Sequence, residues 1–355
     1  MITLIGATGF TGQLVARELQ RLGTRVRLAG RDISKIERLR SEIDADFETA
    51  RVDVTDERSL GAALKGAQVV ISCAGPFTDV GEAVIRQAVH RGIHYVDTTG
   101  EQSFIKLVFE RYGKPARDSG VALLPACAFE YALGDAAGAL AAEGFETTDE
   151  IEIVYAVHGG ASSRGTKKSI IRALGQPGFQ LRKGKLDSIR TAAMNRTIDI
   201  PKLGPRRAYS FPGGEVLMLP KHVKVENITT FMFYPAPRIV VAVFALIGPA
   251  LMRSPLSKWL FSRIDRGEPG PTEEERKRTT FTICCTAQAG KQRRRVTIEG
   301  SDPYGLTGVL AASVAHSLEQ STDSAGAVTA SMVVGGSAFR AWTEAAGLRW
   351  TVEPI

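Results

Sequence analysis

The 355-residue sequence predicts an α/β protein: an N-terminal doubly wound parallel sheet followed by a second, mixed α/β domain. Three observations predict it. A strand at the start of the chain runs into three glycines spaced three apart. Short apolar runs then alternate with segments of helical period as far as Pro125. From Glu150 the pattern changes to alternation of period two.

The first strand is Ile2–Ile5, and Gly6, Gly9 and Gly12 follow it within GATGFTG. Thr11 opens an amphipathic helix through Leu14, Val15, Leu19 and Leu22. Glycines there let the backbone approach a pyrophosphate closely, and the free N–H groups and dipole of the helix receive its charge. Gly6, Thr8, Gly9, Phe10, Thr11 and Gly12 are therefore candidate phosphate contacts. The spacing is Gly-x-x-Gly-x-x-Gly, so surrounding elements must decide between a nucleotide turn and an ordinary tight turn.

The second strand, RVRLAGR (Arg25–Arg31), ends where a dinucleotide-binding fold selects its cofactor. Arg31 and then Lys35 are basic, and Asp32 comes one place too late for the usual ribose contact. A guanidinium fork suits a 2′-phosphate, so NADPH is expected over NADH. Next come a helix over Ser34–Glu42, a strand over Phe47–Val54, a helix over Glu57–Leu64 capped by Thr55 or Asp56, and a strand over Ala67–Gly75. A helix over Gly81–Arg91, a strand over His94–Asp97, a helix over Phe104–Asp118 and a strand over Val121–Pro125 complete the series. Six strands in the order 3-2-1-4-5-6 make a Rossmann domain, and its ligands lie beyond the carboxyl ends of the strands. Asp53 and Val54 are expected beside the adenine, and Cys73, Ala74, Gly75 and Pro76 beside the ribose and nicotinamide. Asp97 and Glu101 have two open readings: orienting water or substrate, or capping the helix that begins near Ser103. Cys73 reads as a packing residue, because no histidine adjoins it.

Composition bounds the rest. With 44% hydrophobic residues the chain has the material for a substantial core and for two domains, placed at residues 1–135 and 136–355, with the last helices as candidates to return to the first. The four cysteines show no metal-ligand spacing, and no metal site is expected. A reducing, cytoplasmic setting is the plainer reading, and no cleavable signal is expected before the first strand. Between Gly160 and Lys224 fourteen Lys and Arg face three acids, so this span carries +11 and the rest of the chain −4. That suggests an acidic partner: cofactor phosphates, a carrier protein or an anionic membrane surface. The span has few interleaved aromatics, which argues against nucleic acid.

In the second half EIEIVYAVH reads as a half-buried strand, and TTFTICCTAQ and RRRVTIEG as a pair around Ala289–Gly290. Arg293, Arg294 and Arg295 read chiefly as solvated, with an anion site as the lesser reading. Lys167, Lys168 and Ser169 start a helix after Arg164-Gly165-Thr166. The span from Gly175 to Lys224 has little periodicity and is expected to be a lid or docking surface. Ile239–Met252 is uncharged but too short to cross a membrane. A buried or dimer-interface helix, a greasy pocket wall and a membrane-surface patch are its three readings.

GATGFTG, AGR, ISCAGPF, HYVDTTGE and CAFEYALGD together resemble the saccharopine dehydrogenase-like reductases, closest to the branch of trans-acting enoyl reductases. Weaker similarity continues through SSRGTKKS, GPTEEERKR and DPYGLTG. Relatives resemble Gly-Phe-Asp-Ser-x-Pro-Ser-Asp where this chain has Ala128–Asp135, and the tail lacks their Thr-Pro step. Short-chain dehydrogenases share GATGFTG, but no tyrosine here has lysine four places on. The resemblance implies an NADP(H)-dependent oxidoreductase, a homo-oligomer, acting on an apolar or acyl substrate, free or carrier-bound. If the bond reduced is an activated C=C, as in that branch, Tyr131, just past the sixth strand, is the candidate proton donor, and Lys167 and Lys168 are the candidates for stabilising the enolate. Imine reduction and cofactor sensing without turnover are the alternatives.

Overall fold

The computed structural model describes residues 1–355 except 161, 176, 202, 234–240, 242, 244, 245, 249, 252, 253, 321 and 322. The chain forms two compact units, Met1–Ala132 with Tyr304–Gly335, and Leu133–Pro303 with Gly336–Ile355.

The first unit alternates β1 (Ile2–Ile5), α1 (Phe10–Arg21), β2 (Val26–Gly30), α2 (Ile33–Glu42), β3 (Glu48–Arg51), α3 (Glu57–Ala63), β4 (Val69–Ser72) and α4 (Phe77–Arg91). It continues through β5 (His94–Asp97), α5 (Gln102–Leu107), a π-helical turn (Val108–Tyr112), α6 (Gly113–Asp118) and β6 (Ala122–Leu124). All pairings are parallel, in the order 3-2-1-4-5-6. Every residue of β1 and β4 is buried, which is why these strands read as unbroken apolar runs. The third helix is capped by Asp56, whose carboxylate accepts from Arg58 N at 3.0 Å. The fourth starts four residues ahead of Gly81, because Pro76 sits at its N-cap and an acid from a neighbouring loop holds its first turn.

Residues 304–335 complete this unit. A seventh strand, β15 (Gly326–Ala327), adds parallel to β6. Helix Pro303–Gln320 lies against α1: a Cβ on Gly308 would stand 3.1 Å from Leu14 Cβ, and the Tyr304 ring meets Phe10 edge-on at 5.1 Å. At its far end Glu319 lies 2.5 Å from the Met1 amino group.

α7 (Phe129–Ala142) carries the chain into the second unit. There follow β7 (Thr148–His158), α8 (Arg164–Gly175), β8 (Gly178–Arg182), β9 (Lys185–Ile189), β10 (Asn195–Ile200), β11 (Gly204–Ser210), α9 (Glu215–Met218) and β12 (Val225–Phe233). The sheet is completed by β13 (Thr280–Ala289), β14 (Gln292–Ser301) and β16 (Arg349–Pro354), in the order 10-11-12-7-13-14-16, with β8 on β12 and β9 on β8. β7 pairs parallel with β12 and antiparallel with β13.

Four strands occupy the span from Gly175 to Lys224, whose sequence shows little periodicity. Two of them, β9 and β10, are exposed over most of their length, so no buried face imposed period two on their sequence. The turn between β8 and β9 places Lys183 at φ 47 and Gly184 at φ 70, a two-residue hairpin that Lys-Gly does not advertise. Arg294 is not simply solvated: its guanidinium caps the carboxyl end of α7, donating to the carbonyls of Leu140 at 3.3 Å and Glu143 at 2.5 Å. All four cysteines are free, and strand alternation points Cys284 and Cys285 to opposite faces of β13.

Candidate functional site

The glycine turn is built to bring backbone close to a ligand. Gly6 has φ +79, and a Cβ there would lie 2.8 Å from Ala74 N and from the Cys73 carbonyl carbon. The end of β4 therefore abuts the turn directly, bringing Cys73 and Ala74 beside Gly6. A Cβ on Gly12 would overlap the Gly6 carbonyl oxygen. Gly9 N donates to that oxygen at 2.9 Å, and Gly9 is the N-cap of α1, with no side chain capping the helix. Thr8, Phe10 and Thr11 complete the turn, whose uncapped N–H groups suit a pyrophosphate.

Beyond β2, Arg31 is exposed and, among the described residues, carries no ion pair. Lys35 is held 3.7 Å from Asp32, which caps α2 by accepting from Lys35 N at 3.2 Å. The acid that follows Arg31 is thus used within the helix. Asp53 turns its carboxylate onto Thr55, accepting from its hydroxyl at 2.7 Å and its N–H at 3.0 Å. These bonds, with Arg31 and Arg51 nearby, hold its carboxyl below the usual range. Val54 is half-buried beside it, and Gly75 and Pro76 lead into α4.

At the carboxyl ends of β4, β5 and β6 a polar brace ties three loops together. Asp97, fully buried, accepts through Oδ1 from Thr99 N at 2.8 Å and Ala126 N at 2.9 Å, and its carbonyl accepts from Cys127 N at 2.7 Å. Burial pushes its carboxyl up to about 7. Glu101 does not cap the helix that follows it. Its carboxylate instead accepts from Phe77 N at 2.9 Å, Thr78 N at 3.0 Å and the Thr78 hydroxyl at 2.5 Å, closing the first turn of α4. Cys73 is no nucleophile near neutral pH, since burial pushes its thiol up to about 12.

Tyr131 is 1% exposed and its hydroxyl donates to the Gly100 carbonyl at 3.4 Å. Lys167 belongs to the second unit, exposed on α8, which begins three residues earlier than expected because Ser163 caps it. Sequence reasoning missed Glu130. It is half-buried in the first turn of α7, and burial pushes its carboxyl up to about 7. The signal was an acid two places into a helix that leaves the sixth strand.

The remainder of CAFEYALGD has a packing logic. A Cβ on Gly134 would overlap the Tyr155 hydroxyl, which donates to Glu215, and one on Gly138 would lie 2.6 Å from Leu219 Cδ1. Asp135, fully buried, holds His222 Nε2 at 2.8 Å. Burial works against a charged imidazole there, but the carboxylate outweighs it and raises the histidine's pKa.

Residues 2–144 match the family described as the saccharopine dehydrogenase NADP binding domain. That match covers the first domain and less than half of the chain. A Mycobacterium tuberculosis protein assigned as a trans-acting enoyl reductase is 34% identical over 187 residues, covering 49% of this chain and 44% of that one. A lipid droplet localized protein of Caenorhabditis elegans is 35% identical over 140 residues, covering 36% and 33%. The matches therefore span less than half the length of these relatives. Apo saccharopine dehydrogenase (L-Glu forming) of Saccharomyces cerevisiae superposes with a TM-score of 0.66 over 100% of this chain and 99% of that one, at 11% identity, which shows the shared fold. Among the described residues no helix is long and apolar enough to cross a membrane, and no cluster of side chains could hold a metal ion.

Proposed function

We propose that the protein is an NADPH-dependent reductase of an activated carbon–carbon double bond in an apolar acyl, lipid or polyketide substrate, free or carrier-bound. The observation that carries this reading is the match to an NADP-binding domain together with the uncapped α1 turn and an exposed Arg31 where a 2′-phosphate would lie. A relative assigned as a trans-acting enoyl reductase supports the bond type, and one named for lipid droplets supports a lipid-like substrate.

Bound NADPH would supply a hydride to the electron-poor carbon. The chain's own residues then have two tasks, to receive charge on the substrate oxygen and to deliver a proton to the adjacent carbon. Glu130 suits the second task better than Tyr131. It is partly exposed at the carboxyl edge of the sheet and holds its proton to about pH 7, whereas the Tyr131 hydroxyl is buried against Gly100. The loop that presents Glu130 is fixed from both sides, by Asp97 at Ala126 and Cys127 and by the Thr307 hydroxyl, which accepts from Phe129 N at 3.1 Å.

The test is NADPH consumption by the purified chain offered α,β-unsaturated thioesters of increasing length, with saturated thioester identified as product. Turnover that improves with chain length is expected. Turnover only with an oxo acid and an amine would replace the reading by imine reduction, and tight NADPH binding without turnover on either panel would replace it by cofactor sensing.

A further inference from the structure

Independently of that reading, the surface of the second unit carries a feature the reductase site does not use. The described residues from 241 to 251 are helical, and Val243, Leu246 and Ile247 project into solvent, Leu246 with 72% of its surface exposed. Four residues later helix Leu256–Asp265 exposes Leu256 and, one turn on, Trp259 at 57%. Five of the large apolar side chains most exposed to water in the described structure thus fall within seventeen consecutive positions. Isolated exposed leucines need no explanation, but a concentration of this kind does.

The charges around it identify the occupant. Helix Leu256–Asp265 packs with α8, where the Arg172 guanidinium stands 5.7 Å from the centre of the Phe261 ring. α8 itself exposes Ile170 and contains Arg164, Lys167, Lys168 and Arg172, with no acid in its twelve residues. The Arg263 guanidinium lies 5.5 Å from the centre of the exposed Trp259 ring. Leucine, isoleucine and tryptophan set among arginine and lysine form the composition of a helix surface that lies in a lipid headgroup layer. The rings and aliphatic chains enter the acyl boundary while the cations stay with the phosphates. A second protein chain would not need α8 to be uniformly basic, whereas an anionic lipid surface does.

We propose that α8, the exposed side chains of Val243, Leu246 and Ile247, and helix Leu256–Asp265 form a docking surface for the face of an anionic lipid membrane. It is a peripheral contact, since among the described residues no helix is long and apolar enough to cross the bilayer.

The experiment is flotation of the full chain with phosphatidylcholine vesicles, with and without phosphatidylglycerol, followed by Trp259 emission. Binding to the phosphatidylglycerol vesicles is expected, weakened by salt and accompanied by a blue shift. Leu246→Glu with Trp259→Glu should abolish binding, and Lys167→Glu with Lys168→Glu should weaken it by about tenfold or more. Met332→Glu, an exposed apolar position in the first unit, should leave it unchanged. Lys168 is half-buried and the other positions are exposed, and unaltered thermal unfolding confirms that the variants fold. Failure to float with either vesicle overturns the proposal. So does a concentration-dependent dimer that Leu246→Glu dissociates, since a second copy would then cover the patch. NADPH binding, measured in parallel, separates failure of this surface from failure of the reductase reading.

Discussion

Arg31 and Glu130 carry the sharpest consequences at the scale of single residues. Lys35 lies 3.7 Å from Asp32, and exposed Arg31, which makes no ion pair among the described residues, is the cation placed to grip a 2′-phosphate. Arg31→Ala is expected to weaken NADPH binding by about tenfold to a hundredfold, the worth of a charge-assisted phosphate contact, and to leave NADH binding nearly unchanged. Equal losses in calorimetric titration would remove the phosphate assignment. For Glu130 the sign of the pH dependence is fixed by its role as an acid. The protonated form donates, so turnover should fall as pH rises through about 7, the value to which burial raises it. Glu130→Gln should reduce kcat by about a hundredfold or more and flatten that limb, while Tyr131→Phe should keep it. The basic residue after β2 was legible in sequence, because its meaning depends only on position along one strand. Glu130 was not, because its raised pKa comes from surroundings contributed by other parts of the chain.

Elements show the same division. Parallel strands buried on both faces announce themselves as apolar runs, and β1, β4 and β5 lie where their sequences put them. The start of α4 was misplaced because its cap is not local. Glu101, twenty-four residues away from Phe77, provides the acceptor for its first two N–H groups. No reading of Pro76–Val80 by itself contains that information. Glu101→Ala should therefore destabilise the protein by about 2 kcal/mol, read as a lower denaturant midpoint with unchanged slope. An unchanged midpoint would mean that water satisfies the helix end equally well. In the second sheet, β9 and β10 were hidden for a complementary reason. Their hydrogen bonds are made without a continuous buried face, so hydrophobic alternation, the one local signature of a strand, is missing.

The whole molecule is arranged as an interrupted domain. The stretch that carries the recognisable motifs ends near residue 135, yet the unit it builds needs residues 304–335 as well. Those residues supply the strand beyond β6, the helix that covers α1, the hydroxyl that fixes Phe129 N and the partner of the amino terminus. A fragment of residues 1–144, which contains every glycine of the nucleotide turn, should consequently unfold without cooperativity and bind no NADPH. The full chain should unfold cooperatively and bind NADPH. Cooperative calorimetric unfolding of that fragment would show that the later segment is dispensable.

This arrangement also sets a timetable. A ribosome releases Gly6, Gly9 and Gly12 well before Tyr304, because the whole of 133–303 has still to be produced in between. At about 5–20 residues per second, the apolar side of α1 waits on the order of ten seconds for the helix that shields it. The nascent chain is thus exposed longest at the very surface on which its cofactor site depends. Chaperone demand should concentrate there, and saturating NADPH during translation should raise the folded yield.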